Sequence, residues 1–166
     1  FIDIKLHDIP NTCVSALRSI KDLKADYLTI HISSGLKALK ATKKASNKTK
    51  IVGVTTLTSI DSHSLKQIGY DKKLRKLVYH QAKLARKANL DAIVCSAQEA
   101  KNVKKIFKKQ IITPGIRFNS KINDQIRTLT PKQAYKNGSD WLVIGRPITK
   151  GNIKKNISSL IDHLNQ

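Results

Sequence analysis

Hydrophobic and polar residues alternate along positions 1–6 of the chain, which is the pattern of a β-strand. The β-branched Ile2 and Ile4 share one face of this strand, and Asp3 and Lys5 share the other. Residues two apart in a strand lie roughly 6–7 Å from each other, so the carboxylate and the ammonium project together. A charged pair on a strand otherwise fit for burial is costly unless the charges pair or take part in chemistry. This strand is therefore the first candidate for a functional site.

The pattern then switches repeatedly between the strand period and the helix period. Further strands are predicted at residues 27–31, 51–55, 92–95, 111–113 and 141–144. Helices are predicted at residues 12–24, 36–45, 72–88, 97–108 and 153–164, with a short helix from 131 and an irregular or helical piece at 61–69. Thr12 is the expected N-cap of the first helix, since its hydroxyl can accept a hydrogen bond from a free N–H group there. Six strands alternating with helices predict parallel strands joined by right-handed crossovers.

The length of the chain favours part of a barrel. A complete TIM (β/α)8 barrel takes about 250 residues, or roughly 30 per βα unit, so 166 residues hold roughly six units. We therefore expect an α/β fold in which residues 1–166 form a single domain, a TIM (β/α)8 barrel missing roughly its first two βα units. The start at Phe1, inside a predicted strand and without Met, agrees with an N-terminal truncation. A doubly wound open sheet is the alternative, although no GxGxxG motif follows a strand.

The formal net charge of +21 raises the question of a nucleic-acid partner. The basic residues are mostly lysines spread over every segment, and aromatic residues make up only 5% of the chain, so there is no platform on which bases could stack. A solvated, lysine-rich surface explains the charge better than a specific nucleic-acid site. Non-specific adhesion to polyanions is still expected at low salt.

The cysteines and the apolar runs narrow the class of protein further. Cys13 and Cys95 form no CxxC pair, and no His/Cys cluster has zinc spacing, so we expect buried thiols in a reducing cytoplasm and no metal site. A disulfide between the two remains open. No apolar run approaches the ~20 residues that span a bilayer, so no membrane partner is expected.

Polar and charged residues follow every predicted strand, and the carboxyl ends of parallel strands meet at one end of a barrel. These residues are Asp3, Lys5, Asp8, His31, Ser33, Ser34, Thr58, Ser59, Ser96, Pro114, Gly115, Arg117, Gly145 and Arg146. The last two loops combine glycine with arginine, which suits phosphate because backbone N–H groups and a bidentate guanidinium can both reach an anion. Singly, each residue also has a structural explanation, such as an ion pair, a packed histidine or a turn cap. Their convergence at one end favours an active site.

Seven segments make the chain resemble the bacterial branch of the orotidine 5′-phosphate decarboxylase family in order and spacing. They are DIKLHDIPNT (3–12), VTTLTS (54–59), VCSAQEA (94–100), TPGIRF (113–118), DQIR (124–127), TPKQA (130–134) and VIGRPIT (143–149). The DxKxxD signature alone is shared with related sugar-phosphate decarboxylases and synthases. The IPNT extension, TPGIR and IGRPIT are more specific.

The resemblance implies a cytoplasmic lyase that converts orotidine 5′-phosphate to UMP and CO2 without a metal or an organic cofactor. It implies that Lys5 protonates the C6 carbanion, and that Asp3 lies beside the departing carboxylate and holds Lys5. It also implies a homodimer in which Asp8, with neighbouring residues, contributes to the partner's site. The substrate-binding residues that it implies are Asp3, Lys5, Asp8, Ile9, Thr12, Thr58 at the base, and Arg117, Gln125, Gly145 and Arg146 at the phosphate, with Gln125 on a closing loop.

The strands missing from the front of the sequence keep alternatives open. The family places a ribose-binding aspartate and a further lysine of the charged network on strands that this sequence does not include, so the function is predicted for the intact protein. The alternatives are an inactive fragment or basic polyanion-binding remnant, and a related enzyme acting on a sugar phosphate.

Overall fold

The computed structural model describes residues 1–118 and 129–165, and in them six parallel strands form one sheet in sequential order. The strands are β1 (Ile2–Leu6), β2 (Tyr27–His31), β3 (Lys50–Val54), β4 (Ala92–Val94), β5 (Gln110–Thr113) and β6 (Trp141–Leu142). Each strand pairs with the next in parallel. A doubly wound sheet reverses its strand order at a switch point, whereas this order runs straight through, as in a barrel. The predicted α/β barrel class is confirmed.

Helices connect the strands as the alternation predicts. They are α1 (Pro10–Ser19), α2 (Gly35–Ala45), α3 (Ser62–Gln67), α4 (Leu74–Lys87), α5 (Ala97–Phe107), α6 (Pro131–Lys136), α7 (Arg146–Thr149) and α8 (Ile153–Asn165). Thr130 caps α6 with a capping box, in which its hydroxyl accepts from the Gln133 N–H and the Gln133 side chain accepts from the Thr130 N–H. No helix within the described ranges is both long enough and apolar enough to cross a membrane.

The first helix differs from its prediction at both ends. Its N-cap is Ile9, so the prediction of Thr12 as N-cap is wrong. Pro10 occupies the first turn, where its fixed φ starts the helix without a side-chain cap. The helix ends at Ser19, and the rest of the predicted segment is a 3-10 turn over Lys21–Leu23.

The last strand is shorter than predicted. Its ladder covers Trp141–Leu142, and one further bond runs from the Val143 N–H to the Thr113 carbonyl at 2.9 Å. The chain then turns at Gly145 into α7. Residues that follow β6 are thereby brought beside those that follow β5, its neighbour in the sheet.

Successive strand residues point to opposite faces of the sheet, and each face carries a buried hydrophobic cluster. Alternate strand residues such as Leu28, Ile30 and Ile51 are fully buried against the helices. A smaller buried cluster on the other face contains Val52 and Ala92. Packing of both faces by side chains is typical of a sheet that curves into a barrel.

Two aspartates anchor the amino ends of the strands in the same way. Oδ2 of Asp91 accepts a hydrogen bond from the Ile51 N–H at 2.8 Å and lies 2.6 Å from Lys43 Nζ. Oδ2 of Asp140 accepts from the Ile111 N–H at 2.7 Å, and its ion-pair partner Lys104 is also 2.6 Å away. These contacts lie at the end of the sheet opposite the predicted site, where barrel residues serve stability.

Candidate active site

Asp3 and Lys5 form an ion pair at the carboxyl end of β1, with Lys5 Nζ 2.7 Å from Asp3 Oδ2. Their side chains are 47% and 40% exposed, so ligand can reach both. The juxtaposition predicted from their spacing is confirmed. The accompanying expectation that Ile4 belongs to a buried face is wrong, since Ile4 is 52% exposed on the outermost strand of the described sheet.

An irregularity in β1 sets the geometry of this pair. Ile2 pairs with Leu28 and Leu6 with Ile30, so four residue steps on β1 face two on β2. Within this bulge Lys5 has φ 50°, the left-handed region that a non-glycine residue seldom adopts.

Thr29 of β2 contacts both members of the pair, and sequence reasoning missed it. Its Oγ1 accepts a hydrogen bond from the Lys5 N–H at 2.8 Å and donates one to Asp3 Oδ1 at 3.0 Å. Thr29 is fully buried. The available signal was its position on a strand expected to neighbour β1, two residues before the strand-end His31, on the same face.

A cavity of about 470 Å³ opens beside the pair at the carboxyl ends of the strands. Its lining includes Asp3, Lys5, Thr58, Ser59 and Pro114 of the predicted strand-end residues. Apolar side chains from four strands or strand ends complete it, namely Val54, Val94, Ile112 and Val143. A mostly apolar cleft with a few convergent polar groups is the usual form of a small-molecule site.

The loop after β3 is held in place by α4. The Thr56 N–H and hydroxyl both donate to Oε1 of Gln81, at 2.9 and 3.1 Å. Thr55 adds a hydrogen bond from its hydroxyl to the Val94 carbonyl at 2.8 Å. These bonds fix the segment that carries Thr58 into the cavity.

Arginine and glycine follow the last two strands, as predicted. Arg117 lies just beyond β5, and its Nη1 donates to the Ile116 carbonyl at 2.8 Å. Gly145 and Arg146 follow β6, and a Cβ built on Gly145 meets nothing within 4 Å, so its backbone is open to approach. Gln125, also predicted to bind phosphate, lies outside the described residues.

Asp8 lies in a second cavity of about 650 Å³, formed by the loops after β1 and β2. Its Oδ1 accepts a hydrogen bond from the Ile9 N–H at 2.7 Å. Ile9 is 66% exposed, and Thr12 is also exposed. The structure thus separates Asp8 from the cavity that Asp3 and Lys5 line.

His7 lines this second cavity, and its ring contacts that of His31 at the end of β2. The rings of His7 and His31 are 5.2 Å apart, and His7 Nε2 is 3.3 Å from Ser33 Oγ. Burial lowers the pKa of His31, the positive charges of His7 and Lys5 lower it further, and Asp3 acts in the opposite sense.

The structure also shows where Ser96 and the two cysteines lie and whether side chains gather as metal ligands. Ser96 is the N-cap of α5, where its Oγ accepts from the Gln98 N–H at 3.2 Å, so its role is structural. Cys13 and Cys95 are buried and, within the described chain, neither belongs to a disulfide. Among residues 1–118 and 129–165, no three His, Cys, Asp or Glu side chains come together in a way that could hold a metal ion.

A larger cavity of about 940 Å³ lies at the other end of the molecule, between the ends of α1 and α2 and the segments before β2 and β3. Its lining comes from residues 17–26 and 45–49. Chemistry in parallel barrels occurs at the carboxyl ends of the strands. We therefore assign the functional site to the 470 Å³ cavity that Asp3 and Lys5 line, although the cavity at the other end is larger.

A lysine and an aspartate paired in a cavity at the carboxyl ends of parallel strands define a (β/α)-barrel enzyme as the class of this protein. A family model described as Orotidine 5′-phosphate decarboxylase / HUMPS family matches residues 1–157. The chain belongs to this family, and the resemblance read from its motifs is confirmed.

Individual relatives agree with this assignment. The chain is 46% identical over 165 residues to a protein named orotidine 5′-phosphate decarboxylase from Wolbachia sp. subsp. Brugia malayi, covering 97% of this chain and 73% of that protein. It is 47% identical over 154 residues to one of the same name from Ehrlichia chaffeensis, covering 90% of this chain and 67% of that protein. The crystal structure of orotidine 5′-phosphate decarboxylase from Lactobacillus acidophilus superposes with a TM-score of 0.83 at 28% identity, covering 99% of this chain and 74% of that one.

Proposed function

We propose that this protein, in its intact form, converts orotidine 5′-phosphate to UMP and CO2 in pyrimidine nucleotide synthesis, as a carbon–carbon lyase. Membership of the family and the names of the relatives support the substrate and the reaction. The observation that carries the proposal is the 2.7 Å contact between Lys5 Nζ and Asp3 Oδ2 in the cavity at the strand ends. The polyanion-binding alternative has no comparable support, because it rests on overall charge alone.

The chemistry that we assign to this pair is a proton transfer. The bond between C6 of the pyrimidine and the carboxylate carbon breaks, the electron pair stays on C6, and CO2 leaves. The Lys5 ammonium, preplaced beside C6, stabilises the developing carbanion and then protonates it. Asp3 holds that ammonium through the 2.7 Å hydrogen bond and lies beside the departing carboxylate.

The binding roles follow the order of the strands. We assign Thr58, which lines the cavity with the charged pair, to the pyrimidine. We assign the phosphate to Arg117, Gly145 and Arg146, whose loops leave neighbouring strands β5 and β6, together with Gln125. Contacts to a phosphate remote from C6 let binding energy support the reaction at C6.

We further propose a homodimer in which Asp8, Ile9 and Thr12 contribute to the partner's site. All three are exposed, and Asp8 lines the cavity adjacent to its own active site. An isoleucine that is 66% exposed in a loop is the kind of residue that an interface buries. We also propose a cytoplasmic location, which agrees with two buried cysteines outside any disulfide in the described chain. We propose one domain over residues 1–166, which agrees with the single continuous sheet of the described residues.

The experiment that tests the function measures two properties of the intact protein. Orotidine 5′-phosphate should yield UMP and CO2, and UMP should bind at micromolar concentrations in moderate salt. Arg146→Ala should weaken UMP binding by about 10–100-fold, the value of one or two charge-assisted hydrogen bonds. Lys101→Ala, an exposed lysine on α5, is the matched control and should bind as the wild type does. Salt-sensitive binding of any polyanion, equal in wild type and Arg146→Ala and without UMP formation, would contradict the proposal.

A further inference from the structure

The bulge in β1 creates a local problem that Thr29 solves. Four residue steps of β1 lie against two of β2, so the regular exchange of backbone hydrogen bonds is interrupted at Lys5. The Lys5 N–H donates instead to Thr29 Oγ1 at 2.8 Å. A side-chain hydroxyl thus replaces a ladder carbonyl at the residue whose backbone is left-handed.

The same hydroxyl orients the carboxylate. Thr29 Oγ1 donates its proton to Asp3 Oδ1 at 3.0 Å, while Asp3 Oδ2 accepts from Lys5 Nζ at 2.7 Å. Each oxygen of Asp3 therefore has its own donor, and rotation of the carboxylate would break both bonds. Thr29 is fully buried, so water has little access to replace its hydroxyl.

We propose that Thr29 is the positioning residue of the active site, whose single hydroxyl fixes the Lys5 backbone and the Asp3 carboxylate in one geometry. It does not touch the reacting atoms and acts through the pair. The proposal rests on the proposed function, because positioning is expressed in the rate of the proton transfer. Thr58, assigned to the base, lies on the loop after β3, and the described residues assigned to the phosphate lie beyond β5 and β6. None of them contacts Thr29 in its hydrogen bonds to Lys5 and Asp3, so substrate affinity should depend little on Thr29.

The test compares two substitutions of Thr29 in the intact protein. Thr29→Val keeps the branched shape and removes the hydroxyl, while Thr29→Ser keeps the hydroxyl and removes the methyl group. Thr29→Val should lower kcat by about 10–100-fold, the effect of misplacing a reacting group by an ångström or less. The Kd for UMP should stay within about threefold, and Thr29→Ser should restore kcat to within about threefold of wild type.

A matched control separates positioning from loss of packing. Thr42 on α2 is also fully buried, and its hydroxyl donates to the Ala38 carbonyl at 2.9 Å, away from the site. Thr42→Val should leave kcat unchanged in the folded protein. A kcat for Thr29→Val within twofold of wild type, or an equal loss in Thr29→Val and Thr29→Ser, would overturn the proposal.

A second readout is independent of activity. Hydrogen exchange of the Lys5 amide should be at least about tenfold faster in Thr29→Val than in Thr29→Ser, because the amide loses its acceptor. Equal exchange rates would overturn the proposal. If the two variants show this difference in exchange but the wild type does not decarboxylate orotidine 5′-phosphate, the proposed function fails while the structural role of Thr29 stands.

Discussion

The imidazole rings of His7 and His31 lie 5.2 Å apart, and they join the loop that carries Asp8 to the strand that carries Thr29. His31 is the last residue of β2, and the charges of Lys5 and Asp3 act on it from the adjoining strand. This histidine therefore links the charged pair to the surface that we assign to the dimer interface. Its ionisation offers a direct physical test of that arrangement.

Stability should fall in acid because of His31. Burial, with His7 and Lys5, lowers the pKa of this imidazole below its ordinary value of 6.5, so the unfolded chain binds the proton more readily than the folded protein does. The free energy of unfolding should therefore decrease as the pH falls from 6.5 through the folded pKa, by at most about 1.4 kcal/mol per pH unit. Urea unfolding between pH 5 and 8 measures this slope.

His31→Gln should remove that contribution and flatten the profile. His80→Gln changes an exposed histidine on α4 and should leave the slope as it is in the wild type. An unaltered slope in His31→Gln would show that another group causes the acid sensitivity.

Removal of the Asp140 carboxylate should destabilise the fold without altering the site. Asp140→Ala leaves the Ile111 N–H without its acceptor and Lys104 without its ion-pair partner, at the amino ends of the strands. We expect a loss of about 1–3 kcal/mol in the free energy of unfolding, chiefly from the backbone donor. Asp162→Ala, an exposed carboxylate on α8, should change stability by less than about 0.5 kcal/mol. Equal effects of the two substitutions in urea unfolding would contradict the anchoring role.

The dimer proposal predicts complementation between two inactive variants. If Asp8 serves the partner's site, a mixed dimer of Lys5→Ala and Asp8→Ala subunits contains one site with both defects and one site with neither. Equal mixing with free exchange makes half of the dimers mixed, so activity should return to about a quarter of wild type. Mixtures that remain as inactive as the separate variants would show that Asp8 acts within its own subunit.

The order of strands and helices could be predicted because each element has a clear hydrophobic period. Tyr27–His31 has the predicted bounds, and the other strands lie within two residues of theirs. The N-cap of α1 could not be predicted, because Pro10 and Thr12 are both suitable for a helix start and tertiary packing decides between them.

The charged residues of the candidate site could be predicted, because they lie next to the ends of predicted strands. Asp3 and Lys5 were found because paired charges in a strand are unusual. Thr29 was missed because a threonine inside a strand is ordinary, and its role depends on a register shift between β1 and β2 that no local pattern encodes. The separation of Asp8 from the pair likewise depends on where the chain turns after β1.

The most direct test of the account is the turnover of Lys5→Ala in the intact protein, with orotidine 5′-phosphate as substrate and UMP binding measured in parallel. Removal of the proton donor should lower kcat by about 10²–10⁴-fold, while the protein stays folded. Lys21→Ala, an exposed lysine at the opposite end of the molecule, should keep the wild-type kcat. A wild-type kcat in Lys5→Ala would contradict the assignment of the Lys5–Asp3 pair as the centre of the reaction.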